Sequence, residues 1–137
     1  MGGSIHPCER VLVVNDNRDM LSSMRDVLEF AGAVVETAKG SAEALGILAS
    51  GFSPSVIVLD LRLGEGERGQ DFARLLRADP LYSRTPIALV SGDIGALKLV
   101  DPSVADATIG KPFDVDVLLK VLADLCRRSG PGGSSRP

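Results

Sequence analysis

A chain of 137 residues with 45% hydrophobic and 24% charged residues has the length and composition of one globular domain. These values exclude a mostly disordered chain and a collagen-like repeat, and they leave no room for a sensor or output domain beside the core. The net charge of −3 does not favour nucleic-acid binding, and no apolar run is long enough to predict membrane insertion. Because the N-terminus lacks a signal-peptide pattern, we expect a cytoplasmic protein.

The composition changes at both ends of the chain. Residues 1–8 and 129–137 are rich in Gly, Ser and Pro and are predicted to be flexible tails or linker remnants around one domain, 9–128. The two cysteines, Cys8 and Cys126, are too far apart in sequence for a CxxC unit. They could come close if the first strand starts and the last helix ends on the same side of the domain. Since disulfides are rare in cytosolic proteins, we expect two reduced thiols.

Short apolar runs alternate with longer amphipathic segments along the domain. Continuous β-branched runs are typical of strands buried on both faces, and apolar residues at helical spacing predict helices. In chain order we predict a strand over 11–14, a helix over 19–31, a strand over 33–37, a helix capped by Ser41 and ended by Gly51, a strand over 56–59, a helix over 70–78, a strand over 86–90, a weaker helix over 96–100, a strand over 107–109, and a last helix capped by Asp114.

A fivefold β-α repeat predicts an α/β fold with a doubly wound parallel sheet and helices on both faces. In such sheets ligands bind beyond the carboxyl ends of the strands. The side chains at these ends are therefore the candidate site.

Polar groups follow four of the five predicted strands: Asn15, Asp16, Asp60, Ser91 and Lys111. Two carboxylates and an amide offer oxygens of the kind that Mg²⁺ prefers. A lysine and a hydroxyl would hold the oxygens of a phosphoryl group, which an aspartate can accept as a nucleophile. Taken singly, each residue has a structural reading, such as a helix cap for Asp16 or a solvated side chain for Lys111.

Four motifs carry a resemblance to a known family: Val-Val-Asn-Asp-Asn (13–17), Val-Leu-Asp-Leu (58–61), Leu-Val-Ser-Gly (89–92) and Gly-Lys-Pro-Phe (110–113). In this order they resemble the signatures of the receiver domains of two-component response regulators, over about 10–127. The resemblance implies the flavodoxin-like (βα)5 fold of chemotaxis-Y-like receivers, with strand order 2-1-3-4-5. It also implies a cis peptide bond between Lys111 and Pro112.

The same resemblance implies a role for each residue of the site. Asp60 would be the phosphoacceptor, and Asp16, Asp60 and the backbone carbonyl of Arg62 would hold Mg²⁺. Lys111 would pair with the phosphoryl group, and Ser91 would be the switch hydroxyl. A histidine kinase or histidine phosphotransfer protein would supply the phosphoryl group, and a downstream protein would read the result. The domain would not be an enzyme beyond catalysing its own phosphorylation and dephosphorylation.

Two residues depart from the family pattern. Asn15 stands where most receivers have the first of two acidic residues, so we expect it to be a weak metal ligand or to act through water. Thr108 stands in place of the family's switch aromatic, so output is expected to run through a loop shift around 91–95; the alternative is that nothing switches.

Two charged residues are predicted to tune the site. Arg62 and Asp93 occupy family positions that tune dephosphorylation, and we hypothesise that they pair across the mouth of the site and restrict attacking water. The alternative is that both are solvated loop charges.

Other functions fit the sequence less well. The Gly64-x-Gly66-x-x-Gly69 segment matches a dinucleotide fingerprint, but it follows the third strand and carries acidic residues beside the expected pyrophosphate. An aspartyl-phosphate phosphatase would need a second acid where Arg62 stands. The main alternative is a pseudo-receiver that binds partners without phosphorylation. The motif over 15–19 is similar to receivers of hybrid kinases, so both a standalone domain and a part of a larger protein stay open.

Overall fold

A computed structural model describes residues 8–64 and 66–129 of the chain. The predicted tail residues 1–7 and 130–137 lie outside the described residues. The elements, in chain order, are β1 (Arg10–Val14), α1 (Arg18–Phe30), β2 (Val34–Ala38), α2 (Ser41–Ala49), β3 (Val56–Asp60), α3 (Gly69–Ala78), β4 (Ile87–Ser91), α4 (Ile94–Lys98), β5 (Ala107–Gly110) and α5 (Val115–Ser129). Within this part of the chain, no helix is long and apolar enough to cross a membrane.

The five strands form one parallel sheet in the order β2-β1-β3-β4-β5, which confirms the predicted fold class and strand order. All five residues of β3 and of β4 are buried. Their continuous apolar runs follow from this position, because helices cover both faces of the sheet.

Successive strand residues alternate between two core layers. Val11 and Val13 pack with the buried residues of α1 and α5, and Leu12 and Val14 pack with those of α2, α3 and α4. The sheet is therefore a middle layer with two helices on one face and three on the other.

Helices α1, α2 and α4 begin one or two residues before their predicted starts, and in α2 the residue at the N-cap position differs from the expected one. The side-chain oxygen of Asn17 accepts the N–H of Met20, so α1 begins at Arg18. The predicted cap Ser41 is instead the first residue of α2, and its neighbour Gly40 has no side chain to cap the helix. Asp93 caps α4 through the N–H of Ala96, which moves this helix start two residues before the predicted one. Capping satisfies free N–H groups, and local contacts decide which residue does so.

The expectation of two reduced cysteines is wrong in this structure, because Cys8 and Cys126 form a disulfide with a Cα–Cα distance of 5.5 Å. Cys8 precedes β1, and Cys126 lies in α5. Both are buried in the core layer of α1 and α5, with about 1% of each residue exposed. Helices return antiparallel to the strands of a βαβ unit, so the end of α5 comes back to the start of β1.

This disulfide closes a loop of 118 residues, and so we expect its loss to be costly. Its reduction, or the double variant Cys8→Ala/Cys126→Ala, should lower the free energy of unfolding by about 2–5 kcal/mol, because the unfolded chain regains entropy. Thermal unfolding with and without dithiothreitol measures the effect. The double variant is the control and should not respond to the reductant. Two free thiols in the folded, non-reduced protein would contradict the prediction.

Candidate functional site

The predicted site residues meet at the carboxyl edge of the sheet. The register places Asp60 of β3 beside Val90 of β4, and Ser91 beside Gly110 of β5. Asn15 follows β1, the other neighbour of β3. The parallel strands therefore bring residues from distant parts of the sequence to one rim, as predicted.

Asp60 is the centre of this rim and is 8% exposed. One carboxylate oxygen, Oδ2, accepts the ammonium of Lys111 at 2.7 Å and the side-chain amide of Asn15 at 2.9 Å. The other oxygen, Oδ1, accepts the backbone N–H of Arg62 at 2.9 Å. A buried carboxylate needs such donors because water is largely excluded from it. The bond between Lys111 and Pro112 is cis, which confirms the expectation from the resemblance.

The amide of Asn15 does not have the orientation expected of a metal ligand. Its nitrogen faces Asp60, and its oxygen accepts the backbone N–H of Asn17 at 2.9 Å. The residue is 4% exposed, and both polar ends of its side chain are hydrogen-bonded.

The oxygen groups expected to hold Mg²⁺ are Asp16, Asp60 and the carbonyl of Arg62. Among the described residues, no group of three or more His, Cys, Asp or Glu side chains could hold a metal ion. Asp16 is exposed, and neither its carboxylate nor the Arg62 carbonyl has a hydrogen-bond partner within the described part of the chain. Mg²⁺ is commonly held by one or two carboxylates together with waters, so this donor set fits the ion.

Ser91 connects the rim to α4. Its hydroxyl oxygen accepts the N–H of Asp93 at 3.0 Å, and its carbonyl accepts the N–H of Lys111 at 2.8 Å. The hypothesised contact between Arg62 and Asp93 is present, with a nitrogen-to-oxygen distance of 3.6 Å. Their side chains are 78% and 50% exposed, so the pair lies on the open side of the site.

Thr108 is exposed on the edge strand β5. The Ile94 side chain lies over the nearby Gly110, so closely that a Cβ on this glycine would overlap it. Ile94 is itself 50% exposed. An aliphatic side chain from the start of α4 thus covers β5 near the rim, a contact that the sequence analysis did not predict.

The loop between β3 and α3 is folded tightly against the rim. Gly64 and Gly66 have positive φ values of 103° and 72°, and the N–H of Gly69 donates to Leu61 at 2.7 Å. A Cβ on Gly69 would overlap the carbonyl oxygen of Asp60. The glycine spacing that matches a nucleotide fingerprint therefore serves the turn.

Glu67 fixes the same loop to the neighbouring helix. Its carboxylate accepts the hydroxyl of Ser41 and, at 3.4 Å, the N–H of Ser41 at the start of α2. This contact was not predicted, because the two residues lie 26 positions apart in the sequence. The sequence predicted Ser41 as the cap of this helix, so no local signal indicated a partner from the loop after β3.

Comparison with known proteins shows which protein family has this fold and this arrangement of residues at the rim. Residues 11–123 match the family model described as response regulator receiver domain. The chain therefore belongs to the receiver domain family of two-component response regulators.

Individual relatives agree with this assignment. The chain is 33% identical to response regulator MprA of Mycobacterium sp. (strain KMS) over 126 residues, which cover 89% of the chain and 52% of the relative. It is 34% identical to MprA of Mycobacterium avium (strain 104), with 89% and 53% covered. The chain thus spans about half the length of the curated relatives it matches.

Solved structures resemble it over nearly the full domain. Chemotaxis response regulator CheY4 of Vibrio cholerae has a TM-score of 0.75 and 30% identity, with 85% of this chain and 97% of that chain covered. Response regulator TrrA of Thermotoga maritima, solved in complex with Mg²⁺-BeF, has a TM-score of 0.76 and 25% identity, with 85% and 98% covered.

We expect Gly69 to tolerate no side chain. Gly69→Ala should lower the free energy of unfolding by about 1–3 kcal/mol, because the new Cβ displaces the backbone of Asp60. Gly46→Ala is the matched control: apart from its chain neighbours and the backbone of α2, no atom lies within 4 Å of the new Cβ, so it should stabilise by about 0.5–1 kcal/mol. Urea unfolding measures both. Equal effects of the two substitutions would contradict the close approach at Gly69.

Proposed function

We propose that this receiver domain accepts a phosphoryl group on Asp60 in a Mg²⁺-dependent reaction and works as a signalling switch. The observation that carries the proposal is the 2.7 Å contact between the Asp60 carboxylate and the Lys111 ammonium at the carboxyl edge of the sheet. The family assignment and the Mg²⁺-BeF complex of the related TrrA support it.

The chemistry would centre on one carboxylate oxygen of Asp60. This oxygen attacks the phosphorus of a phosphohistidine, so that an oxygen–phosphorus bond forms while the nitrogen–phosphorus bond breaks and the imidazole leaves. Lys111 then pairs with oxygens of the transferred group, and its charge offsets the negative charge that arrives. Mg²⁺, held by Asp16, Asp60 and the Arg62 carbonyl, would neutralise phosphoryl oxygens when bound.

Ser91 is the proposed switch residue. Its hydroxyl oxygen accepts a hydrogen bond from Asp93, which leaves its hydrogen available for donation to a phosphoryl oxygen. A movement of Ser91 toward that group would pull on Asp93, the cap of α4. The expected loop shift around 91–95 would then move Ile94 over β5. Thr108 on this strand has no aromatic ring that could take part in the switch.

The proposed phosphodonor is a histidine kinase or histidine phosphotransfer protein, and a downstream protein would read the switched surface. Beside the acceptor, an open and mainly apolar groove is lined by Lys111 and Phe113 on one side and by Met20, Met24 and Val27 of α1 on the other. Because Lys111 belongs to both groove and site, a histidine-bearing helix docked there would place its phosphoryl group near Asp60. We propose a cytoplasmic location, where the Cys8–Cys126 disulfide would be unusual, and no enzymatic activity on other molecules.

Phosphorylation is tested by intact mass after incubation with acetyl phosphate and Mg²⁺. We expect one phosphoryl group per chain. None should be added when Mg²⁺ is chelated before the reaction, and none to Asp60→Asn, which has no nucleophilic carboxylate. Asp71→Asn, an exposed acid on α3, is the control and should still be modified. An unmodified wild type at high Mg²⁺ would contradict the proposal and favour a pseudo-receiver.

If the Arg62–Asp93 pair restricts attacking water, its removal should change the lifetime of the acyl phosphate. Arg62→Ala and Asp93→Asn should each shorten it by a factor of about two to five, which corresponds to the energy of an exposed ion pair. Asn at 93 retains an oxygen for the helix cap and removes only the charge. Loss of the phosphorylated mass after removal of acetyl phosphate measures the lifetime. An unchanged lifetime in both variants would mean that the pair does not restrict water.

A further inference from the structure

The orientation of the Asn15 amide is fixed by its neighbours. The backbone N–H of Asn17 can only donate, so the end of the amide that faces it must be the oxygen. The other end, which faces Asp60 at 2.9 Å, must therefore be the nitrogen. An amide N–H donates hydrogen bonds and does not ligate Mg²⁺.

A donor at this position changes the charge balance of the rim. Oδ2 of Asp60 receives Asn15 and Lys111 together, and Oδ1 receives the N–H of Arg62. Both oxygens of the buried carboxylate thus accept hydrogen bonds from protein donors without a metal ion. An acid in place of Asn15 would put a second negative charge within hydrogen-bond distance of Asp60, and that arrangement needs a cation or a proton to be stable.

We propose that Asn15 is a positioning residue that holds the phosphoacceptor carboxylate through its amide nitrogen and contributes no ligand to Mg²⁺. The inference rests on the proposed function of Asp60 as acceptor. The domain would then keep its acceptor ordered in the metal-free state, at the expense of weak affinity for the ion. Asp16, which has no partner among the described residues, would supply most of the ligand charge besides Asp60.

The first test is a Mg²⁺ titration of the wild type and of three variants at positions 15 and 16. Asn15→Ala should bind Mg²⁺ at least as tightly as the wild type, because no ligand is lost and Asp60 is released. Asn15→Asp should bind it about tenfold tighter or more, because a full negative charge is added near a divalent ion. Asp16→Ala should bind it much more weakly. A loss of affinity in Asn15→Ala as large as that in Asp16→Ala would identify Asn15 as a ligand and overturn the proposal.

The second test is stability, which requires no phosphorylation. Without Mg²⁺, Asn15→Asp should unfold at a lower temperature than Asn15→Ala, since two carboxylates then face each other. With saturating Mg²⁺ the order should reverse, because the cation would neutralise the two facing carboxylates. Asn15→Asp as stable as the wild type without Mg²⁺ would contradict the donor role.

The wild type provides an independent measurement if a variant does not fold. The Asn15 side-chain NH₂ resonance should show protection from solvent exchange and should move on addition of Mg²⁺. The NH₂ of Asn17, whose residue is exposed, is the internal control. An Asn15 resonance that exchanges as fast as that of Asn17 would overturn the inference.

These outcomes are separable from those of the proposed function. A wild type that binds no beryllofluoride at high Mg²⁺ would remove the acceptor role of Asp60, while the metal-free stability order would still test Asn15 as donor. Normal beryllofluoride binding, together with an Asn15→Asp variant as stable as the wild type without Mg²⁺, would instead remove only the donor role.

Discussion

The rim of this domain is built around one buried carboxylate. Asp60 ends the central strand and is 8% exposed, so its charge must be satisfied by protein groups in place of water. The donors come from the end of β1, from the loop after β3 and from the segment after β5. They can converge only because the strands are parallel and β3 lies in the middle of the order 2-1-3-4-5. The satisfaction of the Asp60 carboxylate therefore depends directly on the strand order of the sheet.

The parts of the fold that depend on local pattern were predictable from the sequence. Strands buried on both faces appear as continuous apolar runs, and all five were predicted within one or two residues. The positions of the site residues followed from the same rule, because each stands where an apolar run ends. Helix starts were less predictable, since Asn17 lies beside Asp16 and Gly40 beside Ser41, each of them another plausible cap.

The contacts that were missed join residues distant in sequence. Neither the attachment of Glu67 to the start of α2 nor the bond between Cys8 and Cys126 has a local signature. The orientation of Asn15 depends on a single backbone N–H of the following turn. A residue type can predict that a side chain is polar, but which of its ends faces a neighbour is decided by the folded backbone.

A continuous set of contacts leads from the rim to the surface of α4. Lys111 holds Asp60 and donates its backbone N–H to Ser91, whose hydroxyl accepts from Asp93. Asp93 in turn caps α4 and faces Arg62 across the site. Since these are single contacts in series, a change at the carboxylate has a short physical path to the helix. The aromatic residue that the family pattern expects at position 108 is not needed for that path to exist.

The disulfide also determines how the domain responds to mechanical load. Cys8 and Cys126 meet at the edge of the sheet opposite the rim, where β1 starts and α5 ends. Tension applied through the two ends of the oxidised chain passes directly across this covalent bond and bypasses the hydrogen bonds between strands. The sheet and its rim are then shielded from pulling. In the reduced chain the same tension would act on β1 and α5 themselves, so the redox state would decide whether the fold carries the force.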